Sequence, residues 1–315
     1  MIKISPEKQI NPTKENISLI LFDWNISDFE MEIIPYGVEN TSIKIVTPDG
    51  KYVLRVYQQG EKTVEKIQEE ADFVDFLYQE NLPVAKLIPN KNNASITVTN
   101  INGINWASIL MIFLEGEHLE KYNQAKVKQI GEAMAKMHLA SQKYVQQKNI
   151  HITISSYENE LLYKLDITKI KNKDVLGFLE RAKKVKAIIG NYPAAIIHSD
   201  LTAINMLFAE DKLNGILDFN NILYRYLIED VAVTAWHILK KNKSAELIKP
   251  FIRAYEFFRP LLPQEKKSLI DFMLLRNCFI GPVEIHLWGE NSQQVKDILE
   301  AEKKILELKI EQLIS

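Results

Sequence analysis

The chain has 315 residues, 46% of them hydrophobic, enough to bury one large core or the cores of two lobes. A formal net charge of -2, with no long block of like charge, removes the usual reasons to expect nucleic acid or an anionic membrane surface as a partner. The single cysteine, Cys278, excludes an intramolecular disulfide and a cysteine-based zinc cluster, and its apolar neighbours mark it as a packing residue. The N-terminal stretch lacks a signal-peptide core and no apolar run reaches membrane-spanning length, so the expectation is a cytoplasmic protein with no membrane partner.

From Thr13 to Trp24 a capping residue precedes a helical pattern, with Ile17, Ile20, Leu21 and Trp24 on one face. Three strand-like runs follow, Phe29 to Ile34, Ser42 to Thr47 and Tyr52 to Tyr57, with a turn at Pro48-Asp49-Gly50 before the last. That last run alternates: Val53, Arg55 and Tyr57 point one way, Tyr52, Leu54 and Val56 the other. Glu61 to Asn81 reads as a long helix with Ile67, Ala71, Val74 and Leu77 on its apolar face. Glu70 lies on that inward stripe, where a carboxylate needs a cation, and Glu69 lies further round towards solvent. Ser95 to Asn100 and Ala107 to Leu114 are the next strands, with Gly103 in the turn; the second is continuously apolar and therefore buried. Helices then dominate: Gln124 to Ala140, Lys173 to Ile189, one beginning near Asp230, one through Leu274-Leu275-Arg276, and Gln294 to Ile314.

The densest chemistry is His198-Ser199-Asp200-Leu201-Thr202-Ala203-Ile204-Asn205, followed by a turn at Lys212-Leu213-Asn214-Gly215 and the strand Ile216-Leu217-Asp218 with Phe219. Phosphoryl transfer needs an acceptor for the substrate hydroxyl's proton and two ligands for Mg²⁺ on the phosphates. Asp200 suits the first task. The amide oxygen of Asn205 and the carboxylate of Asp218 suit the second, being hard oxygens for a hard cation. A buried His, a turn Asp and a capping Asn in an unrelated domain is the plainer alternative. His-x-Asp with an Asn five residues beyond the Asp is the catalytic-loop spacing of the protein-kinase superfamily. Without Arg after the His, and with a bare Asp-Phe, it resembles the aminoglycoside phosphotransferase, choline kinase and homoserine kinase-like branch. The order of features along nearly the whole chain carries the same resemblance.

The resemblance implies an α+β, bilobal protein-kinase-like fold. Residues 1–112 would form a small nucleotide-binding lobe with an antiparallel sheet and one long helix. Residues 113–315 would form a larger, mainly helical catalytic and substrate-binding lobe. It implies ATP and Mg²⁺ as cofactors, Val53 over adenine, Arg55 on the phosphates where a protein kinase has Lys, and Glu70 as the partner of Arg55. It also implies a nucleotide-covering loop over Pro35 to Thr41 that includes Asn40, and adenine held by backbone groups from Ile112 to Leu114. Asp200 would be the base, and Asn205 and Asp218 the metal ligands. His198, His138 and Asp230 would be structural, with Asp230 capping or bracing the catalytic loop. The partner would be a small-molecule hydroxyl acceptor, with Asn220, Asn221, Tyr224, Arg225, Trp236, Arg276, Glu284 and Trp288 as candidate walls. Aromatic residues there would suit a quaternary ammonium and Arg276 a carboxylate. A protein Ser/Thr kinase of the same fold and a catalytically weak pseudokinase are the competing readings.

Overall fold

A computed structural model describes residues 10–35, 40–57, 60, 62–151, 154, 160–185, 188 and 190–314. The chain divides into two compact units, Met1–Glu115 and Gly116–Ser315. In the first, α1 (Lys14–Leu21) starts where the Thr13 hydroxyl accepts the Asn16 N–H at 3.3 Å, and it tightens into a 3₁₀ turn at Phe22–Trp24. Strands β1 (Glu30–Ile34), β2 (Asn40–Thr47) and β3 (Gly50–Tyr57) form an antiparallel meander. Helix α2 (Val64–Gln79) begins later than Glu61 because Thr63 caps it, accepting the Lys66 N–H. Then come β4 (Leu87–Ile88), β5 (Thr97–Ile101) and β6 (Ile104–Ile112), giving the strand order β1-β2-β3-β6-β4 with β5 also on β6. Strand β6 starts before Ala107. Asn102 and Gly103, at φ 55° and 83°, supply the two left-handed positions of a tight hairpin, so pairing begins at Ile101 and Ile104. Leu54 and Val56 pack with Ile17, Ile20, Leu21 and Trp106 in the core. The alternation of β3 therefore turns Arg55 and Tyr57 to the other face, towards α2.

The second unit opens with β7 (Glu117–His118) and α3 (Gln124–Gln147), followed by α4 (Glu160–Lys164) and α5 (Lys173–Ala182). Helix α5 stops well short of Ile189. Strand β8 (Ala194–Ile197) leads into the His198–Asn205 stretch, and β9 (Met206–Ala209) and β10 (Lys212–Ile216) form the hairpin after it. The turn expected at Lys212-Leu213-Asn214-Gly215 instead sits at Glu210 and Asp211, whose φ values of 47° and 64° match the twist of the flanking strands. Gly215 lies within β10, beside a register shift. Strand β11 (Leu223–Tyr226) pairs with β8. The helices α6 (Leu227–Asn242), α7 (Ile248–Phe258), α8 (Pro263–Trp288), α9 (Gln293–Glu307) and α10 (Ile310–Leu313) complete the unit. The single helix expected from Gln294 to Ile314 is broken because Leu308 and Lys309 are extended. Gly131 lets α3 approach α7, since a Cβ there would collide with the Phe251 carbonyl. Among the described residues no helix is long and apolar enough to cross a membrane.

Candidate active site

Strand β8 delivers His198, Ser199 and Asp200 to a loop whose backbone is tied down by one acid. Asp230, in the first turn of α6 and fully buried, accepts the N–H groups of His198 and Ser199, both at 2.7 Å. Its third contact is His138 Nε2 at 3.2 Å. The tautomer follows from the network. Arg259 donates to the Tyr255 hydroxyl at 2.9 Å, so Tyr255 gives its proton to His138 Nδ1 at 2.7 Å and leaves Nε2–H for Asp230. Burial lowers the His138 pKa and keeps the ring neutral. Burial alone would raise Asp230, but the hydrogen bonds it accepts from His138 and from the His198 backbone win, and its carboxyl lies below the ordinary range. Ser199 takes φ 67° to make the tight turn, and its hydroxyl donates to the Asn221 carbonyl at 2.6 Å.

His198 ties two segments together. Its Nε2–H donates to the Leu217 carbonyl at 2.8 Å, while Nδ1 accepts the Asp200 N–H at 3.3 Å. The Phe219 ring tilts against it at 4.8 Å. Leu217 N–H donates to the Asn205 carbonyl at 2.9 Å, so Asp218 follows one residue beyond that bond, at φ 64°. Asn205 Nδ2 donates to the Asp200 carbonyl at 2.8 Å and to Asp200 Oδ2 at 3.2 Å. The other carboxylate oxygen, Oδ1, accepts Arg276 Nη2 of α8 at 2.6 Å. Asp200, Asn205 and Asp218 thus converge on one corner. Asp200 keeps 39% of its side chain exposed, so one part of a fixed carboxylate stays open. Its surroundings push the carboxyl upward. Partial burial is the main cause and Asp218 adds to it, while Arg276 pulls the other way.

The same corner fits a divalent metal. Asn205 turns its amide nitrogen to Asp200, which leaves its oxygen to face elsewhere, and Asp218 adds a carboxylate. Among the described residues no group of three or more His, Cys, Asp or Glu forms a metal cage. Two protein oxygens suit a cation whose remaining positions are filled by phosphate and water, as Mg²⁺ prefers.

In the first unit Glu70 is 2% exposed and holds three donors. Tyr57 Oη donates to Oε1 at 2.9 Å, Arg55 Nη1 approaches the same oxygen at 3.4 Å, and Lys62 Nζ donates to Oε2 at 2.9 Å. Burial raises the Tyr57 pKa well above its ordinary value, with Glu70 adding to the shift, so the phenol remains a donor. Glu69 pairs on the surface with Lys66. Val53 is half-buried on β3, and Asn40 opens β2 opposite Tyr57. Within the expected nucleotide-covering loop, Tyr36 to Glu39 lie outside the described residues. The N–H of Ile112 goes to the Lys86 carbonyl at 2.9 Å and that of Phe113 to the Lys51 carbonyl at 3.0 Å, so Leu114 is the first residue past this pairing.

The candidate acceptor walls divide. Arg225 is spent on Glu229 in a buried pair at 3.1 Å, and Glu284 is engaged by Lys240 at 3.3 Å. Trp236 is buried with its indole N–H on Asn277 at 2.8 Å, whereas Trp288 is exposed. Only Arg276 reaches Asp200 directly among these candidates. Sequence reasoning missed Lys62, Tyr57 and the pair Tyr122–His237, whose hydroxyl and Nδ1 are 2.7 Å apart. An inward Glu hints at more than one donor, but nothing in the sequence marks the Tyr122 contact.

The sequence model of a phosphotransferase enzyme family, APH, matches residues 30–266. The chain belongs to this family. Homoserine kinases of Bartonella henselae and Afipia carboxidovorans are 27% and 30% identical to this phosphotransferase over 247 and 251 residues. Those alignments cover 74% and 75% of its length and 73% and 72% of theirs. Among solved structures, an amicoumacin kinase in complex with AMP-PNP and Ca²⁺ superposes with a TM-score of 0.73 at 18% identity, covering 96% of this chain and 97% of that one. A microcompartment-associated aminopropanol kinase superposes with a TM-score of 0.69 at 16% identity, covering 93% and 94%. The phosphotransferase therefore has the α+β kinase-like fold, and it is an ATP-dependent small-molecule kinase.

Proposed function

We propose that this phosphotransferase moves the γ-phosphate of ATP to the hydroxyl of a small amine-bearing molecule: an amino alcohol, a hydroxy amino acid or an aminoglycoside-like compound. The observation that carries this reading is Asp200, a partly open carboxylate with each oxygen held by a different side chain, on a loop whose backbone is fixed by Asp230. Asp200 accepts the hydrogen bond of the acceptor hydroxyl and takes its proton as transfer proceeds. Asn205 and Asp218 would hold Mg²⁺, which on binding neutralises charge on the phosphate oxygens. Arg55, oriented by Glu70, steadies the phosphates, and Lys62 brings a second cation to the same carboxylate. Val53 covers adenine, Asn40 belongs to the nucleotide-covering loop, and the backbone from Ile112 to Leu114 holds the adenine edge, with Leu114 offering the N–H. In this reading residues 1–112 bind nucleotide and residues 113–315 carry catalysis and the acceptor.

The relatives named homoserine kinase, and the neighbour named for aminopropanol, support an amine-bearing acceptor. The neighbour in complex with AMP-PNP and Ca²⁺ supports a nucleotide with a divalent metal. The test is Mg²⁺-dependent ATP consumption with homoserine, hydroxylysine, ethanolamine, choline, methylthioribose and aminoglycosides offered separately. Turnover with one of them is the expected result. ATP binding without turnover of any would remove the small-molecule reading.

A further inference from the structure

The acceptor must place its hydroxyl within about 3 Å of Asp200 to lose a proton there. Arg276 stands beside that oxygen pair, so whatever the acceptor carries next to its hydroxyl meets the guanidinium. The Arg276 side chain is 13% exposed and its plane is set before any acceptor arrives. It stacks over Trp236 at 5.5 Å, and Trp236 is itself fixed by Asn277. Its donors are incompletely used. Nη2 goes to Asp200 at 2.6 Å, Nη1 makes a long 3.4 Å contact with the Ser199 carbonyl, and Nε meets no acceptor among the described residues. A guanidinium has five N–H donors in a planar fork that matches a carboxylate.

Charge points the same way. Lys240 also stands over Trp236, at 5.1 Å, and is answered by Glu284. Asp200 answers only the Nη2 donor of Arg276, so an anionic group meeting its remaining donors would gain a charge-assisted hydrogen bond. We propose that Arg276 is the specificity-determining residue for the acceptor, pairing with a carboxylate on the molecule whose hydroxyl meets Asp200. The preferred substrates are then hydroxy amino acids, ahead of plain amino alcohols and polyamines. This inference rests on the proposed transfer to a hydroxyl at Asp200.

The test compares L-homoserine with 3-aminopropan-1-ol, which differ only by the carboxylate, in the intact protein and in Arg276→Met and Arg276→Lys. The unaltered enzyme is expected to favour homoserine about 10- to 100-fold in kcat/KM, the scale of one hydrogen bond to a charged group. In Arg276→Met that ratio collapses towards one, mainly through a higher KM for homoserine. Arg276→Lys retains an intermediate ratio, and thermal melts of both variants show whether each is folded; if the Met variant is not, the Lys variant decides. An equal loss on both acceptors with the ratio preserved would overturn the proposal, because Arg276 would then serve the base alone. Turnover of 3-aminopropan-1-ol or another carboxylate-free acceptor in preference to homoserine would overturn it while leaving the kinase reading intact. No turnover of any acceptor would overturn both.

Discussion

Glu70 and Asp230 are both buried acids, 2% and 0% exposed, yet they are held by different kinds of donor. Glu70 is surrounded by side chains: Arg55, Tyr57 and Lys62. Asp230 is gripped by two backbone N–H groups and one imidazole. Long side chains can exchange partners, so in the proposed reading Glu70 gathers positive charge that a nucleotide's phosphates can share. Backbone donors cannot move without moving the loop, so Asp230 sets where Asp200 sits. The first unit therefore uses its buried acid to store charge, and the second uses its own to fix geometry.

The comparison breaks most visibly at Asp230. Asp230→Ala leaves two loop N–H groups and the His138 Nε2–H unanswered in a fully buried place, and each buried donor so left costs about 1–3 kcal/mol. A denaturant titration should show that loss, accompanied by a fall in kcat. Glu70→Gln keeps the shape but removes the charge that orients two cations. It should cost less stability, about 1–3 kcal/mol, and raise the KM for ATP more than it lowers kcat. Steady-state kinetics at varied ATP would read that split. Lys62→Met should raise the KM for ATP in the same direction as Arg55→Met, since both cations serve the one acid; an unchanged KM in Lys62→Met would assign Lys62 to packing alone.

Stability also depends on pH. His138 is neutral because burial lowers its pKa, and burial also brings His237 down to about 3. In the unfolded chain both would bind a proton near pH 6.5. Below that value the unfolded state holds more protons than the folded one, so stability is full above about pH 6.5 and falls as pH drops, by up to about 1.4 kcal/mol per pH unit for each histidine. The depressed carboxyl of Asp230 adds loss in the same direction at lower pH. Denaturant melts at stepped pH should show this slope, and His237→Gln should make it shallower.

The fold and much of the site are legible in the sequence where periodicity reports them. Glu70 separates from Glu69 because α2 has a 3.6-residue stripe, and Arg55 separates from Leu54 because β3 alternates. Lys62 is silent because it lies in a turn outside any repeating element, eight positions from the acid it reaches. The β9–β10 turn misleads because glycine attracts a turn assignment, while two non-glycine residues, Glu210 and Asp211, adopt the left-handed conformations and Gly215 stays in the strand. Arg276 is readable as a carboxylate binder, but its contact with Asp200 spans 76 positions and no local pattern announces it. The bracing of His138 by Tyr255 crosses 117 positions for the same reason.

In the proposed mechanism Asp200 acts on the acceptor's proton and not on the nucleotide. Asp200→Asn keeps the shape of the side chain, so ATP affinity and kcat should be measured together in this variant, with the best acceptor present. ATP affinity is expected to stay within about twofold while kcat falls by roughly 10²–10⁴, the usual scale for a general base. An unchanged kcat, or a loss that appears only as weaker ATP binding, would contradict it.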